Sequence, residues 1–241
     1  MTRRSLGRRP VRLPGGGLAE ANGRSSRPAH VALASAAGRS PASQRWLARQ
    51  LNDPYVAAAK ASGFRSRSAY KLLELNDRFR LIRGGARVLD LGAAPGGWTQ
   101  AALAAGAGSV VAVDLVPIEP IPGAISLAAD AGDADLAARL RPLLGGPAHL
   151  VLSDMAPATT GHAATDHLRI LALAELAFDL ATSLLTPGGS FVVKLFQGGA
   201  EASLLDPLKR RFASVRHAKP PASRAESREL YLLAKGFRPA A

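Results

Sequence analysis

The chain has 241 residues, a formal net charge of +13 and no cysteine. This length is enough for one large domain or two small ones. The lack of cysteine excludes disulfides, thiolate nucleophiles and cysteine metal sites. Because no apolar run approaches the about 18–20 residues that span a bilayer, we expect a soluble protein without a membrane partner. The positive charge favours a polyanionic partner.

The excess charge is concentrated at the amino terminus. Residues 1–50 carry ten arginines and one acid, and so contribute +9 of the total. Residues 1–42 are rich in Gly, Ser, Pro and Ala without a hydrophobic period, which predicts a disordered basic extension before a folded domain over 43–241. The extension could be a solvated segment, an RNA-contacting tail or a transit peptide. We expect a cytoplasmic protein, or one of the mitochondrial matrix if the extension is a transit peptide.

Apolar runs and helical patterns alternate after residue 43. The alternation predicts an α/β fold, a doubly wound and mostly parallel sheet covered on both faces. Residues 44–60 read as helix or irregular structure with a break at Pro54, and helices are predicted over 65–80, 97–105, 134–144, 166–185 and 204–212. Seven strands are predicted over 87–91, 109–114, 124–128, 149–153, 190–195, 215–218 and 229–234.

Glycines and acids follow the first three strands, at the edge where open parallel sheets bind ligands. Gly92, Gly96 and Gly97 let the backbone approach a ligand closely. Their spacing differs from the dinucleotide pattern G-x-G-x-x-G, and Pro95 removes an N–H that a pyrophosphate would use. Asp114 ends the second strand, where an acid binds ribose hydroxyls. Asp130 follows the third strand, either near an adenine ring or as a helix cap. The pattern favours an adenosine cofactor without a pyrophosphate, for which S-adenosyl-L-methionine (SAM) is the obvious candidate.

The segment SDMAP places Asp154 at the end of the fourth strand. Methylation of exocyclic amines usually uses an Asn/Asp-Pro-Pro-Tyr/Phe loop at this place, and methylation of pyrimidine C5 requires a cysteine. Since the chain has neither, the acceptor is more consistent with a hydroxyl group.

Lys194 lies inside the apolar strand FVVKLF. A buried polar group without a partner costs about 2–7 kcal/mol, and a charge costs more. The fourth and fifth strands are expected to be neighbours, so Asp154 can pair with Lys194. A hydroxyl acceptor needs a base, and burial together with a second cation such as Lys71 favours a neutral lysine. Glu229 reaches the same edge if the last strand is antiparallel. No metal site is predicted.

Over about residues 60–236 the chain resembles the FtsJ-type ribosomal RNA 2′-O-methyltransferases. Six segments carry the resemblance in this order: SRSAYKLLE, VLDLGAAPGGWTQ, VDLVPIEP, SDMAP, TPGGSFVVKLFQG and SRELYLLAKG. The resemblance implies a class I SAM-dependent methyltransferase sheet of seven strands with an antiparallel last strand. It implies a catalytic tetrad, with Lys194 as the base, at Lys71, Asp154, Lys194 and Glu229. It implies SAM contacts at Gly96, Gly97, Trp98, Asp114, Asp130 and Asp154.

The resemblance further implies a monomeric enzyme that modifies a uridine in the A-loop of 23S-type rRNA on the large ribosomal subunit. Two features depart from the family: the arginine-rich extension, and Ala158-Thr159-Thr160 where relatives often carry an asparagine. Four arginines near the site are candidates for holding RNA phosphates without reading sequence: Arg65, Arg67, Arg224 and Arg228.

Three alternatives remain at this point. The substrate could be a tRNA or an mRNA cap, or the protein could be a ribosome-assembly factor that binds rRNA with weak or lost catalysis. A nucleotide-dependent oxidoreductase is disfavoured by the glycine spacing.

Overall fold

The computed structural model describes residues 38, 40–198 and 202–240. Most of the predicted basic extension, and with it the expectation of disorder, lies outside the described residues. The helices are α1 Pro41–Leu51, α2 Pro54–Ala61, α3 Ala69–Phe79, α4 Gly97–Ala104, α5 Leu136–Leu144, α6 Ala163–Leu184 and α7 Ala202–Arg211. The strands are β1 Arg87–Leu91, β2 Ser109–Asp114, β3 Ala124–Ala128, β4 Ala148–Ser153, β5 Leu185–Phe196, β6 Phe212–Ala218 and β7 Glu229–Phe237.

The described strands form one sheet in the order β3-β2-β1-β4-β5-β7-β6. The first five strands pair in parallel, whereas β7 runs antiparallel to both β5 and β6. The predicted fold class is therefore confirmed, including the antiparallel last strand. Because β7 starts where β5 ends, the first residue of β7 lies at the carboxyl edge of the parallel strands.

Successive residues of the central strands pack into separate cores on the two faces of the sheet. Leu89 on β1 and Phe191 on β5 belong to one core, together with α5, α6 and α7. Val88 and Val192 belong to the other core, together with α3 and α4. Burial on both faces explains why these strands read as continuous apolar runs. By the same alternation, Lys194 lies on the face that α3 and α4 cover.

The predicted break at Pro54 is confirmed: α1 ends at Leu51, Pro54 starts α2, and Asp53 caps it by accepting the Tyr55 N–H. Other predicted boundaries were wrong by a few residues. For example, β6 begins earlier, at Phe212, whose buried ring packs 5.4 Å from the Phe237 ring. No helix in the described ranges is both long and apolar enough to cross a membrane.

Candidate active site

The end of β4 and the end of β5 bring together a lysine and an aspartate. Asp154 directly follows β4, and its backbone N–H donates to the Leu91 carbonyl at 3.1 Å. Lys194 is only 7% exposed. Its Nζ lies 3.0 Å from Asp154 Oδ1 and also donates to the backbone carbonyl oxygen of Asp154. The buried ammonium thus has the partner that the strand order predicts.

A second ion pair joins α3 to the start of β7. Lys71 Nζ lies 2.6 Å from Glu229 Oε1 and 2.8 Å from Glu229 Oε2. The Ser223 hydroxyl donates to Glu229 Oε1 at 2.9 Å. Burial raises the pKa of Glu229, but the charge and hydrogen bond of Lys71, with the charge of Lys194, bring it below its ordinary value. Glu229 is therefore ionised at neutral pH.

The Tyr231 hydroxyl lies between the two acids, a contact that was not predicted. It is 2.8 Å from Asp154 Oδ1 and 3.0 Å from Glu229 Oε1. Burial, followed by the two carboxylates, raises the pKa of Tyr231 well above its ordinary value, so the phenol keeps its proton. The Trp98 ring packs 5.5 Å from the Tyr231 ring, and its Nε1–H donates to the Ser68 carbonyl at 2.8 Å.

A cavity of about 600 Å³ opens at the carboxyl ends of β1, β2 and β4. Three of the predicted cofactor residues line it: Asp114, Asp130 and Asp154. Asp114 accepts the backbone N–H groups of Ala94 and Val116, at 2.9 Å and 3.0 Å. Asp130 accepts the Gly132 N–H at 2.8 Å. The alternative role of Asp130 as a helix cap is wrong, because α5 begins later with Asp135 as its N-cap.

The other three predicted cofactor residues lie outside the lining of this cavity. Gly97 packs against the residues before α3, since a Cβ there would lie 2.1 Å from Ser66 Oγ. Gly96 has φ +108° and lies against Ile121. Trp98 packs on the Tyr231 ring. These residues join the start of α4 to the segment leading to α3, and their contacts with a cofactor stay predictions.

Gly92 is one of the three glycines predicted to let the backbone approach a ligand, and it lies in the cavity lining between β1 and β4. Its φ is +72°, and a Cβ there would lie 2.7 Å from the backbone nitrogen of Met155. Only glycine allows the two strand ends to approach this closely. The GAAPGGW motif therefore begins with a glycine that shapes the cavity wall.

The four arginines predicted to hold RNA divide into two pairs. Arg65 donates to the carbonyls of Pro95, Glu119 and Pro120, and Arg228 donates to Gln197. These two hold loops around the site. By contrast, Arg67 and Arg224 line a second, polar cavity of about 370 Å³ that also includes Lys71 and Glu229.

The segment after SDMAP is fixed by helix α6. Ala158 lines the first cavity, and Thr160 donates from its N–H and hydroxyl to Asp166 Oδ1, at 2.8 Å and 2.7 Å. His162 caps α6 by accepting the Thr165 N–H. Within the described ranges, no cluster of three or more histidine or acidic side chains could hold a metal ion.

The fold and the site together define a class of protein. Acids at the ends of β2, β3 and β4 around an open cavity, on a seven-stranded sheet with an antiparallel last strand, are typical of Rossmann-like, SAM-dependent methyltransferases. The model of the FtsJ-like methyltransferase family matches residues 64–237. The chain belongs to that family.

Curated relatives extend the match to most of the chain. A protein named ribosomal RNA large subunit methyltransferase E from Granulibacter bethesdensis is 66% identical over 209 residues, covering 87% of this chain and 91% of the relative. A protein of the same name from Acidiphilium cryptum is 63% identical over 215 residues, covering 89% of this chain and 96% of the relative. A crystal structure from Plasmodium falciparum, assigned as a ribosomal RNA methyltransferase, superposes with a TM-score of 0.67 at 27% identity. The superposition covers 73% of this chain and 100% of that chain.

Proposed function

We propose that this protein transfers the methyl group of SAM to a ribose 2′-hydroxyl of large-subunit rRNA, at a uridine of the A-loop. The observation that carries the proposal is the position of Asp154. This residue lines the cavity that suits an adenosine cofactor and also holds Lys194. A base and a methyl donor would therefore share one edge of the sheet. The names of the relatives, which refer to large-subunit rRNA, support the choice of substrate.

Lys194 is the proposed general base. To act as a base, the Lys194 ammonium first gives up one proton; the neutral amine then has two N–H bonds, and Asp154 offers two acceptors, its Oδ1 and its backbone carbonyl. The nitrogen lone pair is then left to take the proton of the 2′-hydroxyl, a step typically worth about 10²–10⁴-fold in rate. The resulting ammonium is stabilised by the Asp154 carboxylate. The 2′-oxygen that has lost its proton would accept the methyl group as the methyl–sulfur bond breaks, with S-adenosyl-L-homocysteine as the leaving group.

Lys71 and Glu229 complete the proposed catalytic group by orienting the acceptor. Their ion pair spans α3 and β7 on the same face of the sheet as Lys194. Glu229 is ionised, and both of its carboxylate oxygens contact Lys71 Nζ, so the ion pair has a fixed position beside the base. A fixed polar pair there restricts the position of the ribose. Orientation of reacting groups lowers an activation barrier by about 7–11 kcal/mol in favourable cases.

The first cavity fits SAM in volume and in the chemistry of its lining. When bound, SAM supplies an electrophilic methyl group and needs no metal. Asp114 retains a free lone pair on each carboxylate oxygen after accepting two backbone N–H groups, and these can accept ribose hydroxyls. Asp130 would lie nearer the adenine, and apolar side chains such as Leu115 and Leu173 line the remaining wall.

The division of the chain stays a prediction: a basic extension over 1–42 and a methyltransferase domain over 43–241. Arg67 and Arg224 are the proposed contacts to RNA phosphates beside the active site. We place the protein in the cytoplasm as a monomer that acts on the large subunit. The positive charge of the extension suits an additional contact with rRNA.

A transfer assay tests the proposal. Purified protein and methyl-labelled SAM are incubated in separate reactions with large subunits from cells that lack this enzyme, with naked rRNA and with tRNA. Label recovered as 2′-O-methyluridine from the subunit supports the proposal. Label on tRNA would keep the chemistry and overturn the substrate. SAM binding with no label on any RNA would favour an assembly factor instead.

A further inference from the structure

The polar cavity beside Lys71 is built by segments that are distant in the sequence. Arg49 comes from α1, Arg67 precedes α3, and Arg224 lies in the loop between β6 and β7. The rest of the lining is Gln50, Ser68, Lys71, Glu226, Ser227 and Glu229, so four cationic side chains outnumber two carboxylates. A cavity with several guanidinium groups next to a proposed acceptor site suits a phosphate group of the RNA chain.

One buried acid connects two of these arginines. The Asp53 side chain is 8% exposed, and its Oδ2 lies 2.7 Å from Arg67 Nη1 and 3.4 Å from Arg224 Nη2. The Arg67 guanidinium also donates from Nη2 to the Ala222 carbonyl and lies 5.6 Å from the centre of the Tyr55 ring. Asp53 therefore ties the loop that carries Arg224 to the segment that carries Arg67.

The same loop is held next to the proposed catalytic group. Glu74 on α3 accepts the Ala222 N–H at 2.7 Å and the Tyr55 hydroxyl at 2.8 Å. Lys219 donates to the carbonyls of Ala225 and Ser227, at 3.1 Å and 2.6 Å, which fixes the loop from within. The arginines therefore lie on a loop and a segment that are already ordered, which lowers the entropy cost of binding.

We infer that Asp53 is the positioning residue of a phosphate-binding cavity formed by Arg49, Arg67 and Arg224, which holds the RNA backbone next to the acceptor ribose. The inference rests on the proposed function for the identity of the RNA. Each terminal nitrogen of a guanidinium carries two N–H bonds, so Arg67 and Arg224 can contact Asp53 and still donate to a phosphate. Asp53 itself touches no substrate. It sets the separation and direction of two donors.

Asp53→Asn tests the inference because it leaves the helix cap in place. Asparagine caps helices as well as aspartate does, so the start of α2 is kept while the charge is removed. We expect the KM for large subunits to rise about tenfold, with kcat and the Kd for SAM within about twofold of wild type. Asp53→Glu, which restores the charge, should recover part of the loss. The matched control is Asp77→Asn, which removes an exposed acid that pairs with Arg80 at 3.7 Å.

Binding measurements distinguish a positioning role of Asp53 from a purely electrostatic role. Removing an acid raises the local positive charge, so a purely electrostatic role predicts tighter binding to any RNA. Positioning predicts weaker binding to the subunit instead, because two phosphate donors lose their alignment. A double-mutant cycle completes the test: in a protein that carries Arg67→Gln and Arg224→Gln, Asp53→Asn should have no further effect on the KM.

Two outcomes would overturn the inference: an unchanged KM in Asp53→Asn, or an equal loss with and without the two arginines. Direct binding of subunits by filter assay needs no methyl transfer. If wild type binds subunits but labels no RNA, the proposed function fails while the role of Asp53 in binding is still measured.

Discussion

Lys194 Nζ lies 3.0 Å from Asp154 Oδ1, so an ion pair joins the ends of two neighbouring parallel strands. Both side chains are largely buried, and Asp154 also lines the cavity proposed for the cofactor. A buried ion pair is poor evidence for stability, because apolar residues of similar volume often stabilise a core as well. A chemical role explains better why a lysine occupies this strand.

Replacing Lys194 with methionine should nearly abolish methyl transfer while SAM still binds. Methionine is similar in length to lysine but cannot take a proton, so we expect a loss of about 10²–10⁴-fold in the rate of transfer. Single-turnover labelling of large subunits measures the loss, and calorimetry measures SAM affinity. The matched control is Lys209→Met, on the exposed last turn of α7. Transfer near the wild-type rate in Lys194→Met would exclude Lys194 as the base.

Tyr231→Phe should destabilise the protein, because its hydroxyl lies within hydrogen-bond distance of two largely buried carboxylates. The change removes contacts of 2.8 Å to Asp154 and 3.0 Å to Glu229 but keeps the ring that packs on Trp98. We expect the free energy of unfolding to fall by about 1–3 kcal/mol in urea titrations. The control is Tyr70→Phe, which removes a hydroxyl 3.1 Å from Ser62 Oγ. Equal losses of unfolding free energy in the two variants would show that the position of the Tyr231 hydroxyl between the two acids adds nothing to stability.

The pairing of Lys194 with Asp154 could be predicted because strand order follows from the alternation of strands and helices. Parallel strands end at one edge, so polar residues at their ends meet. Tyr231 could not be found this way. In ELYLLA it reads as one more apolar residue of a buried strand. Its proximity to Asp154 depends on the register of β7 against β5, where Tyr231 lies opposite Lys194.

Asp53 was missed for a different reason. From the sequence, an aspartate before Pro54 is explained fully as the cap of a helix. Its ion pairs with Arg67 and Arg224 join positions separated by up to 171 residues, and no local pattern reveals such contacts.

The glycine-rich turn, by contrast, could be predicted as part of the site from a local motif. The motif was recognised as a unit, but Gly92, rather than Gly96 or Gly97, lies in the wall of the cavity.

Asp114→Asn should weaken SAM binding without affecting the binding of large subunits. The carboxylate accepts the Ala94 and Val116 N–H groups and is the proposed acceptor for ribose hydroxyls. An amide loses the charge and one acceptor, so we expect the Kd for SAM to rise about tenfold or more, equivalent to about 1.4 kcal/mol. Calorimetry with SAM gives the Kd. Asp135→Asn, at an exposed acid in the N-cap position of α5 and outside the cavity, serves as the control. An unchanged Kd in Asp114→Asn would remove this acid from the cofactor site.

Asp90 should make the stability of the protein depend on pH. It lies on β1, fully buried, and accepts the Thr99 hydroxyl at 2.7 Å through Oδ2, while its Oδ1 has no hydrogen-bond partner among the described residues. Burial raises the pKa of Asp90 to about 7, with smaller contributions from the charges of Asp154 and Asp114, and the Thr99 hydrogen bond opposes the shift. In the unfolded chain the pKa of the same group has its ordinary value of 3.8. Between these two values the folded protein holds a proton that the unfolded chain has released.

Raising the pH through this window therefore favours unfolding, and the contribution of Asp90 to stability falls until about pH 7 and is then constant. Asp90→Asn is the probe, because the amide has no proton to lose and the decline should vanish in this variant. From pH 5 to pH 8 we expect wild type to lose about 2–3 kcal/mol of unfolding free energy relative to the variant. Urea titrations of both proteins at several pH values give this difference, in which the other titrating groups cancel. A difference that stays constant with pH would show that Asp90 is ionised in the folded protein.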